Sequence, residues 1–210
     1  RFRDYHHFWS WSVDEKEKFW DRVWSFCGLV GDKGNIVFKP GAVFQESRFF
    51  PEGALNFAEN LLRRRDKAIA VTFRGENKIE RSLTFAELYN QVSQMRQALQ
   101  NLGITAGDRV AAYLPNMPET IICMLAATSL GAVWSSASPD FGVQGVLDRF
   151  GQIEPKVLFA VDGYHYNGKE IDCRDKVRDV MRKLPSLKKT VVVRYLKSDI
   201  SVLNAVSFDE

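Results

Sequence analysis

The sequence predicts an α/β fold in which a mostly parallel sheet is covered by helices, giving three layers. From Gly107 onward, short apolar strand patterns alternate with amphipathic helix patterns, which is typical of parallel sheets with helical crossovers. The strands are apolar on both faces, as expected where helices cover both sides. We expect this α/β part to span residues 68–210, after a helical, aromatic-rich segment at residues 1–67.

The N-terminal segment contains two helix patterns. Ser12 and Glu15 form an S-x-x-E capping box ahead of an apolar helix face that ends at Gly28. Asn56, with Glu59 three residues later, predicts the start of a second helix. The large aromatic side chains of this segment favour a core or a docking surface over a ligand-binding stripe. They are Phe8, Trp9, Trp11, Trp20 and Trp24.

The α/β part begins with a hairpin, predicted by β-rich runs at 68–74 and 79–83. Thr84 and Glu87 then form a capping box at the start of a long amphipathic helix, and Gly103 ends that helix. The elements expected after it are strand 109–115, helix 116–130, strand 132–136, helix 143–150, strand 157–161, helix 174–184 and strand 190–195.

Composition excludes several classes of protein. The net charge of +3 is too small to indicate a nucleic-acid partner. Three cysteines without a C-x-x-C pair disfavour a disulfide framework and a zinc knuckle, so we expect a reducing compartment, the cytoplasm. No apolar stretch reaches the roughly 18 residues of a membrane span. The chain starts at Arg and stops on SFDE, and we therefore expect a trimmed piece of a longer protein.

Residues 163–169, GYHYNGK, fit the phosphate-loop pattern G-x-x-x-x-G-K directly after a strand. However, two tyrosines and a histidine fill the loop, where small residues are needed for backbone N–H groups to close on phosphates. Glu170 stands where a hydroxyl would bind magnesium. We therefore expect no nucleotide phosphate loop here.

The other polar candidates do not indicate catalysis. Ser135, Ser136 and Ser138 lie at a strand end, where open α/β sheets place ligands, but the G-x-S-x-G pattern of a nucleophile elbow does not surround them. The three histidines have no metal-ligand spacing, so no metal site is expected. The sequence predicts no catalytic residue in this chain.

Residues 83–116 and 125–142 resemble the first two core motifs of the adenylate-forming superfamily, which includes the acyl-CoA synthetases. Within it, residues 5–28 are similar to the acetyl-CoA synthetase branch. Residues 132–159, with YNGKE at 166–170, resemble the acetoacetyl-CoA synthetase family. The resemblance covers nearly the whole chain and implies the partial N-terminal domain of an adenylate-forming enzyme.

The resemblance implies an acid–thiol ligase that activates acetoacetate with ATP and Mg²⁺, releases pyrophosphate, and transfers the acyl group to coenzyme A. The family's Ser/Thr/Gly-rich phosphate loop and the domain with its adenylation lysine do not occur in these 210 residues. It follows that residues 68–210 are truncated before that loop, that this piece alone is inactive, and that the remainder of the parent chain is its partner. The alternative is an independent, non-catalytic binding or interaction domain.

The resemblance also implies coenzyme A contacts. Ser138, Pro139 and Asp140 match the loop that lines the pantetheine tunnel, and Lys169 matches a basic position that meets the nucleotide phosphates. Tyr166 departs from the acetyl branch, which has a second arginine there, so the phosphate clamp is weaker or rebuilt. The alternative for Lys169 is a solvated lysine beside an acidic neighbour. Acyl selectivity is not set in this chain, because the pocket lies beyond residue 210.

Overall fold

The computed structural model describes residues 2–76 and 78–209. The chain divides into two compact units, Arg1–Asn60 and Leu61–Glu210. The second unit contains a five-stranded parallel sheet flanked by helices, so the α/β fold expected from the sequence is confirmed. The first unit contains helices and a short strand pair.

Two consecutive helices open the first unit, α1 (Tyr5–Asp14) and α2 (Lys16–Phe26). Asp4 caps α1, because its carboxylate accepts from the His7 backbone N–H at 2.8 Å. The sequence patterns predicted α2 and its end near Gly28 but not α1. The aromatic side chains of both helices contact one another, and Trp9 remains 49% exposed.

The prediction of a capping box at Ser12 and Glu15 is wrong. Ser12 lies inside α1, where its hydroxyl donates to the Trp9 carbonyl at 2.7 Å. A serine that bonds back to the preceding turn is not available to cap a later helix. Glu15 occupies the N-cap position of α2 without a side-chain capping bond.

The rest of the first unit is mostly irregular. Strands β1 (Phe38–Lys39) and β2 (Arg48–Phe49) pair antiparallel, which the sequence patterns did not indicate. Helix α3 (Phe57–Leu61) begins as predicted at Asn56, whose side-chain oxygen accepts from the Glu59 backbone N–H at 3.1 Å.

The second unit starts with an antiparallel hairpin of β3 (Ile69–Gly75) and β4 (Ile79–Thr84), followed by α4 (Phe85–Asn101). The predicted capping box is present: the Thr84 hydroxyl accepts from the Glu87 N–H at 3.2 Å, and the Glu87 carboxylate accepts from the Thr84 N–H at 2.8 Å. The buried face of α4 consists of Leu88, Val92 and Leu99.

The following elements build the sheet. In chain order they are β5 (Arg109–Tyr113), α5 (Pro118–Ser129), β6 (Val133–Ala137), α6 (Val143–Ile153), β7 (Val157–Val161), β8 (Gly163–Tyr166), β9 (Lys169–Asp172), α7 (Arg174–Lys183), β10 (Lys189–Val193) and β11 (Val206–Ser207). The sheet order is β11-β10-β7-β5-β6, with every pair parallel. All of β7 is buried. Strand β11 and the separate β8–β9 hairpin were not expected.

The strand order reverses at β5. The chain runs from β5 to β6 on one side, then returns to β7, β10 and β11 on the other. Right-handed crossovers therefore place α5 on one face of the sheet and α6 and α7 on the other. In agreement, α4 packs on α5, and α6 packs on α7. Open α/β sheets bind ligands outside the carboxyl ends of the strands at such a reversal.

A largely buried ion pair stands at the start of β5. Asp108 is 7% exposed and accepts from the Lys156 ammonium at 2.5 Å and from the Thr105 N–H at 2.9 Å. The hydrogen bond from Lys156 is the main cause that lowers the pKa of Asp108 to about 2. The carboxylate is therefore ionised throughout the physiological range.

Candidate functional site

A cleft of about 320 Å³ opens at the carboxyl ends of β5 and β6. It is lined by residues 114–116 after β5, by residues 136–140 at the end of β6, by residues 164–166 of β8, and by Thr120. The cleft therefore lies at the reversal of strand order, where the topology favours a ligand site. It contains three of the four residues expected to contact coenzyme A, namely Ser138, Pro139 and Asp140.

Both carboxylate oxygens of Asp140 are engaged inside the protein. The Tyr164 hydroxyl donates to Oδ1 at 2.5 Å, and the Ser138 hydroxyl donates to Oδ2 at 2.8 Å. These bonds, the one from Tyr164 first, lower the pKa of Asp140. Burial and the same bond raise the pKa of Tyr164, so the phenol keeps its proton at neutral pH. Asp140 therefore shapes the loop after β6.

Two further side chains hold this loop. Tyr113, at the end of β5, is fully buried and donates its hydroxyl to the carbonyls of Pro139, at 3.2 Å, and Phe141. Burial raises the pKa of Tyr113 to about 12. The Lys176 ammonium, from α7, also donates to the Pro139 carbonyl, at 3.2 Å. The loop is thus fixed by β5, β8 and α7, and none of these three anchors was singled out from the sequence.

Residues 163–169 form a β-hairpin instead of a phosphate loop. Strands β8 and β9 pair antiparallel across a two-residue turn, Asn167–Gly168, with φ angles of 50° and 74°. Positive φ at both central positions is typical of a type I′ turn, for which Asn-Gly is the favoured pair. Residues 163–169 therefore do not form a phosphate cradle, as expected, and the hairpin that the Asn-Gly pair indicates was not predicted.

Lys169 opens β9 and stands opposite Tyr166 in the hairpin. It is exposed and does not line the cleft. Within residues 2–76 and 78–209, Lys169 makes no ion pair, and the carboxylate of Asp172, at the other end of β9, is held by Arg174 at 2.6 Å. The structure therefore separates Lys169 from Ser138, Pro139 and Asp140, although β8 connects the two places.

Four polar side chains of the cleft remain available to a ligand. In the part of the chain that the structure describes, Asn116, Ser136 and His165 line the cleft and make no side-chain hydrogen bond, and the same holds for the exposed Tyr166. Hydrogen-bond donors and acceptors of this kind suit an amide-bearing ligand. Asn116 and His165 were missed as site residues; the position of Asn116 directly after β5 follows from the strand reversal, whereas that of His165 depends on the unexpected strand β8.

Burial raises the pKa of the Cys173 thiol, beside the loop anchors, to about 11, so it is not a thiolate at neutral pH. Over residues 2–76 and 78–209, no group of three or more His, Cys, Asp or Glu residues could hold a metal ion. In the same ranges, no helix has the length and apolar character needed to cross a membrane.

Comparison with known proteins places the chain in a family. The model of the AMP-binding enzyme family matches residues 57–207. The chain belongs to this family. Its relatives in the AMP-binding family include the acetoacetyl-coenzyme A synthetase of Rhizobium meliloti (strain 1021), 54% identical over 92% of this chain. Another is the acetoacetyl-CoA synthetase of Xenopus tropicalis, 41% identical over 100% of this chain.

A solved structure of the same family matches the fold. The acetoacetyl-CoA synthetase from Streptomyces lividans superposes with a TM-score of 0.88 at 37% identity over 98% of this chain. The match covers 32% of that chain, and the Rhizobium and Xenopus matches cover 30% and 33% of those proteins. This AMP-binding family chain therefore spans about a third of the length of the relatives that it matches.

Proposed function

We propose that this chain is the N-terminal part of an acid–thiol ligase that joins acetoacetate to coenzyme A. ATP first converts the acid to an acyl-adenylate with release of pyrophosphate, and the coenzyme A thiol then displaces AMP. The 54% identity to the Rhizobium acetoacetyl-coenzyme A synthetase over 92% of the chain is the observation that carries this proposal. Residues 1–67 would be the helical segment of acetyl-CoA synthetase type, and residues 68–210 the first α/β part.

In this proposal the remainder of the longer protein supplies the adenylation chemistry. Transition-state charge on the phosphates needs preorganised donors, and the family's phosphate loop and lysine lie outside these residues. The Mg²⁺ that accompanies ATP would be held there too, since the described residues do not fit a metal site. We place the enzyme in the cytoplasm, in lipid metabolism and ketone-body use.

The chain itself would contribute to coenzyme A binding. The cleft would take the pantetheine arm along Ser138 and Pro139, with Asp140 holding the loop in shape. The unpartnered side chains of Asn116 and Ser136 could then meet the pantetheine amides. Lys169, exposed and without an ion pair in the described chain, would meet the nucleotide phosphates as a point charge.

Exchange of radioactive pyrophosphate into ATP with acetoacetate tests the adenylation half-reaction. We expect exchange by the full-length protein and none by residues 1–210 alone. Exchange by residues 1–210 would contradict the proposed division of roles. A reading frame that stops shortly after Glu210 would replace this proposal with the alternative, an independent binding domain.

The Lys169→Ala variant of the full-length ligase tests coenzyme A binding. A charge-assisted contact contributes about 1.5–3 kcal/mol, so the KM for coenzyme A should rise about tenfold or more. Pyrophosphate exchange should not change, because only the second half-reaction uses coenzyme A. The control is Lys188→Ala. Lys188 is an exposed lysine directly before β10, at the amino ends of the strands, whereas the cleft lies at their carboxyl ends. An unchanged KM would make Lys169 a solvated surface residue.

A further inference from the structure

A carboxylate from the first hairpin of the α/β unit holds the tip of the β8–β9 hairpin. Glu76, in the turn between β3 and β4, accepts from the Asn167 N–H through Oε1 at 2.6 Å. It accepts from the Gly168 N–H through Oε2 at 2.8 Å. The partners are 91 and 92 residues apart in sequence. One side chain thus binds both backbone donors of the Asn-Gly turn.

The surrounding packing fixes the first hairpin next to the second. Gly75 lies so close to Tyr195 that a Cβ atom there would stand 2.1 Å from the tyrosine hydroxyl. The Tyr195 ring in turn meets Phe73 of β3 and His165 of β8, with ring centroids 6.1 and 5.5 Å away. Glu76 is therefore held at the turn by packing on the residue before it.

The β8–β9 hairpin needs such anchors, because it pairs with no other strand described and an isolated two-stranded ribbon is marginally stable. The Tyr164–Asp140 bond holds one end, and Glu76 holds the turn at the other. The two N–H bonds, that of Gly168 first, lower the pKa of Glu76, so the carboxylate is charged at neutral pH. Lys169 follows the anchored Gly168 directly.

We propose that Glu76 is a positioning residue for coenzyme A binding. Its carboxylate holds the Asn167–Gly168 turn so that Lys169 is presented to the phosphates of coenzyme A. The proposal rests on the proposed function for the role of Lys169. Glu76 does not contact the ligand itself: its two oxygens are used by the turn, and a carboxylate would repel a phosphate.

Amide hydrogen exchange in the full-length protein tests the anchor. We expect Glu76→Ala to remove protection at Asn167 and Gly168. Glu76→Gln, which keeps one carbonyl acceptor, should give an intermediate loss. Glu80→Ala is the matched control, because Glu80 lies in the same hairpin and pairs with Arg74. Unchanged protection in Glu76→Ala would overturn the proposal.

Kinetics of the full-length ligase test the positioning role. Glu76→Ala should raise the KM for coenzyme A about three- to tenfold, less than Lys169→Ala does, because the lysine remains but is no longer held in place. Pyrophosphate exchange should not change. In a Lys169→Ala background, Glu76→Ala should add almost nothing, because the residue it positions is gone. Equal effects in both backgrounds would overturn positioning through Lys169. A loss of pyrophosphate exchange in Glu76→Ala would also overturn it, because that loss would indicate a general folding defect.

The outcomes separate this inference from the proposed function. If Lys169→Ala raises the KM and Glu76→Ala does not, the proposed function stands and the inference fails. If neither variant changes the KM, the coenzyme A role of Lys169 fails, and the inference fails with it. No pyrophosphate exchange in the unmodified full-length protein would overturn the ligase proposal itself.

Discussion

Replacing Tyr164 by Phe removes a single hydroxyl and leaves its buried ring in place. That hydroxyl donates to the Asp140 carboxylate at 2.5 Å, and a hydrogen bond to a charged group contributes about 1.5–3 kcal/mol. Asp140 is exposed, so water replaces part of the lost bond, and the Ser138 hydroxyl continues to donate to the other oxygen. We therefore expect Tyr164→Phe to lower the free energy of unfolding by about 1–1.5 kcal/mol.

Urea unfolding at neutral pH, followed by circular dichroism, measures this difference. Tyr166→Phe is the matched control, because Tyr166 belongs to the same strand, is 62% exposed and makes no hydroxyl hydrogen bond in the described chain. An equal loss in both variants, or no loss in Tyr164→Phe, would refute the reasoning.

The stabilisation by the Tyr164–Asp140 hydrogen bond should depend on pH. The folded pKa of Asp140 lies below its ordinary value of 3.8. A carboxyl with a lowered folded pKa stabilises the fold above the unfolded value, and this stabilisation disappears as the pH falls through the folded value. The difference between the unmodified chain and Tyr164→Phe should therefore shrink below about pH 4. A difference that stays constant into acid would mean that the bond to the charged carboxylate is not its source.

Three further predictions concern the chain as a whole. Asp108→Asn should lower the free energy of unfolding by about 2 kcal/mol at pH 7. This loss should disappear between pH 4 and pH 2, because the pKa of Asp108 in the folded chain is about 2. Urea unfolding across this pH range measures it. Gly75→Ala should lower the free energy of unfolding by about 1–3 kcal/mol, because the added methyl group clashes with Tyr195. Gly151→Ala, in α6 with open space around it, should raise that free energy slightly. Thermal unfolding of both variants distinguishes the packing effect from the loss of glycine flexibility. With Phe26 93% exposed in an aromatic-rich unit, we expect association that rises with concentration in light scattering, and a monomer at high concentration would contradict this.

The sequence predicted those elements whose start, apolar period and end are all set by residues within the element or directly beside it. Helix α4 has a reciprocal capping box, a regular apolar period and a glycine at its end, and all three act within the helix itself. Strand β7 is an apolar run flanked by helix patterns, which leaves burial in a parallel sheet as its consistent outcome.

The errors occur where one pattern supports two structures. The S-x-x-E spacing of Ser12 and Glu15 fits a helix start, but a serine inside α1 satisfies the same spacing while it bonds to the preceding turn. Asp4, a cap with no glutamate three residues later, gave a weaker indication of where that helix begins. The Asn-Gly pair at 167–168 lies inside a phosphate-loop pattern, so the same segment fits both a phosphate loop and a hairpin turn.

The site required tertiary structure because its contacts join distant segments. No local pattern brings Tyr164 to Asp140, 24 residues apart, or Glu76 to Gly168, 92 residues apart. The strand reversal at β5 does predict which segments meet, since the carboxyl ends of β5, β6 and β7 lie together. The topology thus gives the location of the cleft, and the side-chain pairs give its shape.

Hydrogen bonding divides the implied coenzyme A contacts into two kinds. A ligand must outcompete the existing partners of a group before it can bind there, and Asp140 has a partner on each oxygen. Lys169 has no ion-pair partner in the described chain, so an arriving phosphate displaces only water. A resemblance between sequences treats both positions alike, because it matches residue types and not their state of engagement. Under the proposed function, this difference assigns contact with the ligand to Lys169, and it assigns to Asp140, Tyr164 and Glu76 the role of holding the loop and the hairpin in place.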